Sequence, residues 1–327
     1  MQTLPFGTEQ TTPAAATEPR IAVALPCYNE GITIANVVAA FRQALPQADI
    51  YVYDNNSTDN TVAEAHAAGA IVRSETQQGK GHVVRRMFAD IEADIYVMAD
   101  GDGTYDASYA PTLIELLQKN HVDMVVGARA GVTQDAGRNG HAFGNKLFNK
   151  LYGRLFGKQF QDIFSGYRVF TRRFVKSFPA LSAGFEIETE MSVHCSQLGI
   201  PTLERPTPYG VRPEDSHSKL RTFRDGFRIL AMFAMLAKET RPAAFFGAIG
   251  AGLGLLACLL SLPIFLTYFE TGAVPRLPTL VLSTGLVIIG TVSAVCGLIL
   301  DSLARARIEA KRAVFLSYVK PNWHRVP

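Results

Sequence analysis

A chain of 327 residues is long enough for two folding units and a sizeable core, which excludes a peptide hormone or a disulfide-stapled miniprotein. Its 32 Lys and Arg against 29 Asp and Glu leave a net charge of +3, too small and too evenly spread to point to nucleic acid. The four cysteines, Cys27, Cys195, Cys258 and Cys296, form no CxxC pair, so neither a disulfide framework nor a zinc site is signalled.

The first eighteen residues are rich in Thr, Ala and Pro and lack the basic start and apolar stretch of a secretory signal. Residues 1–19 are read as a disordered tail, and the globular part is expected in the cytosol with reduced thiols. From Arg20 short β-rich apolar runs recur at Ile21–Leu25, Ile50–Tyr53, Ala70–Val72, Ile95–Ala99 and Met124–Val126, separated by amphipathic segments of helix length. That alternation predicts a parallel α/β sheet with helices on both faces.

Three runs end in polar clusters: Pro26-Cys27-Tyr28-Asn29-Glu30, Asp54-Asn55-Asn56-Ser57-Thr58-Asp59 and Asp100-Gly101-Asp102-Gly103. Ligands of open α/β sheets bind beyond the carboxyl ends of the strands, so these clusters are expected to converge on one crevice. No P-loop or GxGxxG fingerprint follows the first strand, which argues against a dinucleotide oxidoreductase. Gly79-Lys80-Gly81 before a helix could approach a phosphate, although such a segment is most often only a turn. Asp100 and Asp102, spaced by one small residue, can jointly hold a hard cation such as Mg²⁺ or Mn²⁺, whereas a bare DxD is commonly a solvated turn. Asp54 holds the equivalent strand-end position and could accept hydrogen bonds from a nucleobase or ribose, its loop capping the next helix through Ser57 or Thr58.

Further along, Lys146, Lys150 and Arg154 form a basic stripe beside Leu147, Leu151 and Leu155, suited to an anionic membrane surface or simply to solvent. Leu220–Glu239 places Arg221, Arg224 and Arg228 opposite Phe223, Phe227, Leu230 and Ala234, an amphipathic helix expected to lie in the membrane interface. Ala243–Phe269 and Leu277–Leu300 are uncharged runs of 27 and 24 residues, each able to cross ~30 Å of hydrocarbon. Lys238 and Arg241 precede the first run and Arg305, Arg307, Lys311 and Arg312 follow the second, while the connection Glu270–Arg276 carries one Arg. The positive-inside bias therefore places both termini and the globular domain on the cytoplasmic side, in a bacterial inner membrane. The small residues Gly247, Gly250, Ala251 and Gly254 would permit close helix contact, and a homo-oligomer is expected.

Leu25-Pro26-Cys27-Tyr28-Asn29-Glu30, Asp54 to Thr61 and Asp100 to Tyr105, in that order, resemble glycosyltransferase family 2, of GT-A fold, and more closely its polyprenyl-phosphate glycosyltransferases of the dolichyl-phosphate mannose synthase type. Val126-Gly127-Ala128-Arg129, Ser165-Gly166-Tyr167-Arg168, Phe185-Glu186-Ile187-Glu188, and Arg212 followed by Ser218-Lys219-Leu220 extend the resemblance over about residues 20–220. The family's Asp-Asp-Gly-Ser loop is Asp54-Asn55-Asn56-Ser57 here, and Thr104 stands where relatives often place a metal-binding Gln.

The resemblance implies a GT-A domain over 20–219, and the apolar runs and flanking charges add an interfacial helix over 220–242, a transmembrane hairpin over 243–301 and a cytoplasmic basic tail over 302–327. It assigns Pro26, Tyr28, Glu30, Asp54 and Lys80 to the nucleotide sugar, and Asp100, Asp102 and Thr104 to the metal. Asp100 and Asp102 also face the diphosphate. Arg129, Ser165 and Arg168 fall to the acceptor phosphate, and Arg212 and Lys219 to a loop over the donor phosphates. The implied activity is metal-dependent, inverting transfer of a sugar from a nucleotide-diphosphate sugar to undecaprenyl or dolichyl phosphate, with Asp102, Arg129 and Arg168 carrying catalysis. Several cations are needed to overcome repulsion between two phosphates, and a dianionic acceptor hardly needs a general base. A processive polysaccharide synthase is disfavoured because the only tryptophan, Trp323, lies outside any Gln-x-x-Arg-Trp motif. Another lipid or glycan acceptor, or a non-enzymatic sugar-nucleotide-binding scaffold, is the competing reading.

Overall fold

The computed structural model describes residues 18–130, 160–210 and 238–319. Seven strands form one sheet in the order β3-β2-β1-β4-β6-β5-β7. They are β1 Ile21–Cys27, β2 Asp49–Asp54, β3 Ile71–Ser74, β4 Ile95–Met98, β5 Met124–Ala130, β6 Arg168–Thr171 and β7 Thr202–Pro208. The first five match the apolar runs read from the sequence to within a few residues; β6 and β7 had no such run. All neighbours pair in parallel except β6, which is antiparallel to both β4 and β5. The carboxyl ends of six strands therefore share one edge with the amino end of β6.

Period-two alternation sends side chains to two cores. Val23, Leu25, Ile50, Val52, Ile95 and Val97 pack under α1 (Ile34–Ala44) and α4 (Ala110–Lys119), whose buried Ile34, Val37, Val38 and Phe41, and Leu113, Ile114 and Leu117, lie at helical spacing. Ala22, Ala24, Tyr96, Met98 and Phe170 pack on the other face under α3 (Lys80–Asp90), α5 (Arg172–Ser177) and α6 (Ile187–Leu198). The short α2 (Thr61–Ala67) joins β2 to β3.

Two further helices, α7 (Pro242–Thr271) and α8 (Leu277–Ser317), are long and apolar enough to cross a membrane, with mean hydropathy of 2.3 and 2.2 over their most apolar stretches. They pack as a hairpin. Gly250 and Gly290 meet backbone to backbone, so that a Cβ on Gly250 would come 2.6 Å from the Gly290 carbonyl. Gly247 and Gly254 have open space beside them, so Gly250 serves the hairpin itself.

The expected tail after residue 301 is corrected by the structure. α8 is one helix of 41 residues, about 60 Å at 1.5 Å per residue, and about 20 of them suffice for the hydrocarbon. Its last turns dock on the sheet-bearing unit: Phe315 is buried in the core beneath α5 and α6, Ile308 packs against the same core, and Arg312 donates to the Leu198 carbonyl. Of the expected interfacial helix over 220–242 only residues 238–242 are described: 238–240 are helical, Arg241 breaks the helix and Pro242 begins α7; Lys146, Lys150 and Arg154 lie outside the described residues.

Candidate active site

The three polar clusters converge at the carboxyl edge as their strand-end positions require. Asn55 N–H donates to the Cys27 carbonyl (2.9 Å), Asn29 N–H to Ser57 Oγ (2.8 Å) and Glu30 N–H to Thr61 Oγ1 (2.8 Å). Thr33 Oγ1 donates to the Gly101 carbonyl at 2.7 Å, tying the first loop to the acidic turn. A Cβ on Gly101 would overlap Cys27 Sγ, so this turn needs glycine. Burial, then the charges of Glu30, Asp100, Asp54 and Asp102, push the Cys27 thiol well up, which keeps it protonated between the clusters.

Asp54, 5% exposed, accepts from Ser57 N–H at 3.2 Å. The expected cap by Ser57 or Thr58 is not made: α2 starts at Thr61, while the Ser57 hydroxyl and the Thr58 N–H are bonded to Asn29. The two departures from the family loop have physical reasons. The Asn55 amide donates to the carbonyls of Glu75 and Gln77 and accepts from Gly79 N–H, and a carboxylate could not donate. Asn56 sits at φ 64°, a left-handed conformation that Asn, like Gly, tolerates.

Asp102 is 2% exposed and accepts at Oδ1 from both the N–H (3.1 Å) and hydroxyl (2.6 Å) of Thr104. Thr104 thus orients Asp102; its hydroxyl proton is committed to that carboxylate. Asp100 projects from the end of β4 against Gly166, where a Cβ would come within 3.0 Å of its carboxylate. Lys80 Nζ lies 2.5 Å from Asp100 Oδ1 and 2.5 Å from Glu188 Oε1, with side chains 9%, 27% and 5% exposed in the order Lys80, Asp100, Glu188. Burial alone would lower the lysine, but the two carboxylates outweigh it and hold the ammonium above the usual lysine range. Asp100 and Asp102 fit a hard divalent cation: both donors are carboxylate oxygens, and an ammonium already stands on Asp100 where positive charge is wanted. Among the described residues no group of three or more His, Cys, Asp or Glu gathers on one point, so two protein ligands would leave room for substrate oxygens and water.

Arg129 at the end of β5 makes a fork-to-fork pair with Asp162, Nε to Oδ2 and Nη2 to Oδ1 both at 2.8 Å. Its guanidinium lies 5.5 Å from the Tyr209 ring, which packs on Tyr105, whose hydroxyl accepts from Gly166 N–H at 2.8 Å. Arg129 therefore borders the acidic turn through Tyr105.

Arg168 and Ser165 do not present themselves to an acceptor, which corrects the expectation for both. Arg168, at the amino end of β6 between Met98 and Val126, is 0% exposed and donates to the carbonyls of Ser165 (2.8 Å) and Ile163 (2.9 Å) and to Ser192 Oγ (3.0 Å). Burial pushes its guanidinium below the ordinary range. Ser165 Oγ, also 0% exposed, donates to the Gly127 carbonyl at 2.6 Å. Arg212 and Lys219 lie outside the described residues. Glu188 and Asp162 were not singled out by sequence reasoning; Glu188 stood in a quoted motif, but its pairing with Lys80 crosses more than half the sheet-forming chain and leaves no local signal.

The family model for glycosyl transferase family 2 matches residues 22–178. Glycosyltransferase AglJ of Haloferax volcanii is 38% identical over 242 residues, 72% of this chain and 79% of its own length. An undecaprenyl-phosphate mannosyltransferase of Micrococcus luteus is 25% identical over 218 residues, 62% of this chain and 87% of that one. Among solved structures, glucosyl-3-phosphoglycerate synthase of Mycobacterium tuberculosis with Mn²⁺, UDP-glucose and phosphoglyceric acid superposes with TM-score 0.54 at 25% identity, covering 68% of this chain and 79% of that one. The family 2 model over residues 22–178, a glycosyltransferase relative matched over most of its length, and strand-end loops bearing Asp54, Asp100 and Asp102 on a GT-A-like sheet together show that this chain belongs to glycosyltransferase family 2.

Proposed function

We propose that the enzyme transfers a sugar from a nucleotide-diphosphate sugar to a polyprenyl phosphate at the cytoplasmic face of a membrane, with inversion at the anomeric carbon. The observation that carries this reading is the docking of α8 into the catalytic core, which puts a membrane-spanning helix and the acidic turn on one packed unit. The likeness to an undecaprenyl-phosphate mannosyltransferase over 62% of the chain supports the lipid acceptor.

Asp54, with Pro26, Tyr28 and Glu30 on the adjoining loop, is positioned to receive the nucleoside. Asp100 and Asp102 would hold Mg²⁺ or Mn²⁺ with the donor diphosphate, and Mn²⁺ accompanies UDP-glucose in the mycobacterial neighbour. When bound, the cation would stabilise the departing nucleoside diphosphate as a Lewis acid. Thr104 fixes the rotamer of Asp102, and Lys80 supplies a buried positive charge beside Asp100. One oxygen of the lipid phosphate forms the new bond to the anomeric carbon as the bond to the nucleoside diphosphate breaks. Being already largely ionised, that oxygen needs no base. Arg129, held rigid by Asp162, would face the acceptor phosphate, and Arg212 and Lys219 would pair with the donor phosphates. Positioning and charge neutralisation then supply most of the rate.

The test is a panel of radiolabelled UDP- and GDP-sugars given to the purified protein with polyprenyl phosphate or with the corresponding polyprenol. One donor should label the phosphate-bearing lipid and leave the polyprenol unlabelled. Equal labelling of polyprenol would contradict the acceptor class.

A further inference from the structure

Gly79-Lys80-Gly81 is held on both sides through its own backbone N–H groups. Gly79 N–H donates to Asn55 Oδ1 at 2.7 Å and Gly81 N–H to the Ala183 carbonyl at 3.0 Å. Side chains at Gly79 and Gly81 would overlap the carbonyls of Ala183 and Ser182, so both glycines are there for close approach. The first turn of α3 is thereby clamped between the β2 loop and the segment before α6, and Lys80 points inward, its side chain 9% exposed. Its ammonium ends between two carboxylates, one at the mouth of the site and one in the interior, each 2.5 Å away.

The two partners are not equivalent. Asp100 is 27% exposed and stands in the acidic turn; Glu188, on the first turn of α6, is 5% exposed and cannot exchange its partner for water. An ammonium on Asp100 Oδ1 and a divalent cation on the same carboxylate would repel each other at close range, so the two cannot share it fully. Glu188 resolves this conflict, because an ammonium that leaves Asp100 still has a buried carboxylate in contact and neither charge is stranded.

We propose that Lys80 is the resident counter-cation of Asp100, that it competes with the divalent cation for that carboxylate, and that Glu188 is the positioning residue that retains the ammonium when the cation binds. This rests on Asp100 and Asp102 being the cation's ligands. Glu188 thereby sets the affinity for the cation without touching it.

The test is Mn²⁺ binding to the full-length protein in detergent without donor, read from loss of the free-ion electron paramagnetic resonance signal. Glu188→Gln should weaken Mn²⁺ binding about tenfold, because the ammonium is left with Asp100 alone. The double variant Lys80→Met with Glu188→Gln, which buries no unpaired charge, should bind Mn²⁺ more tightly than wild type. Opposite signs in the single and double variants are the signature of competition; a shift in the same direction, or no shift, overturns the proposal. Should Glu188→Gln fail to fold, the double variant decides alone, and weaker or unchanged binding in it is contradictory. Asp102→Asn separates the premise: wild-type Mn²⁺ binding that this substitution leaves intact overturns the ligand assignment and the competition with it.

Discussion

The ring of Phe315 lies 4.2 Å from the Arg173 guanidinium carbon, joining the last turns of α8 to α5 of the catalytic unit. Phe315 is 6% exposed and belongs to the same core cluster as Phe170 and Phe174. The second apolar helix thus carries its register directly into the core that supports α6 and Glu188. Phe315→Ala should cost about 3–5 kcal/mol of catalytic-domain stability from lost burial and the cavity left behind. Denaturation of the purified protein followed by circular dichroism of the catalytic domain's near-ultraviolet tyrosine bands checks it; wild-type stability would mean that the docking contributes nothing.

Arg168→Ala should act on the fold and not on the acceptor. It removes donors from two carbonyls and a serine hydroxyl in the interior, a loss of about 3 kcal/mol or more. Protein that remains folded at low temperature should keep a near-normal KM for the lipid substrate. A raised lipid KM with unchanged thermal stability would contradict the buried placement.

Histidine 194 gives the fold an acid-sensitive point. His194, on α6, is 2% exposed, and neither ring nitrogen has a hydrogen-bond partner among the described residues. It packs against Phe174 and Phe178, with ring centroids 5.8 and 5.3 Å away. Burial, with the charge of Lys311 adding to it, pushes its pKa down to about 3. Below about 6.5 the unfolded chain takes up a proton that the folded one refuses, so stability falls as pH drops, by about 1.4 kcal/mol per pH unit from this group. His194→Phe should flatten the dependence between pH 6.5 and 4. Equal slopes for wild type and variant would contradict it.

Topology is tested by cysteine labelling in a background lacking Cys258 and Cys296. Gly272 sits at φ 69° and would be strained by substitution, so Ala273 is the better site in the connection between the spans. Ala273→Cys should react from the outer face and a cysteine at the exposed Ala63 of the catalytic unit only after permeabilisation, as the flanking-charge asymmetry requires. The reverse pattern would place the site outside.

The sheet and the acidic turn were legible in the sequence because their signals are local. An apolar run ending in Asp-Gly-Asp, or in Asp-Asn-Asn-Ser, marks a strand end and a polar loop wherever the strand sits in the sheet. Arg168 was misleading because its burial depends on register: four residues of β6 inserted between β4 and β5 put a charged side chain in the middle of the sheet. The docked end of α8 did leave a trace. Ala304, Ile308 and Phe315 fall on one face at helical spacing, but among Asp301, Arg305, Arg307, Glu309, Lys311 and Arg312 they read as an ordinary charged tail.

The most direct test of the account is sugar transfer to polyprenyl phosphate by the purified enzyme, treated with EDTA and then supplied with Mn²⁺ or Mg²⁺, alongside Asp102→Asn. The charge change at Asp102 leaves its volume nearly unaltered, so the variant should fold normally. Activity should vanish in EDTA, return with the added cation, and fall by at least about a hundredfold in Asp102→Asn, the scale of a lost charge-stabilising group at a reacting centre. Undiminished transfer in EDTA, or near-wild-type turnover in Asp102→Asn, would contradict the assignment of the Asp100 and Asp102 turn as the catalytic metal site.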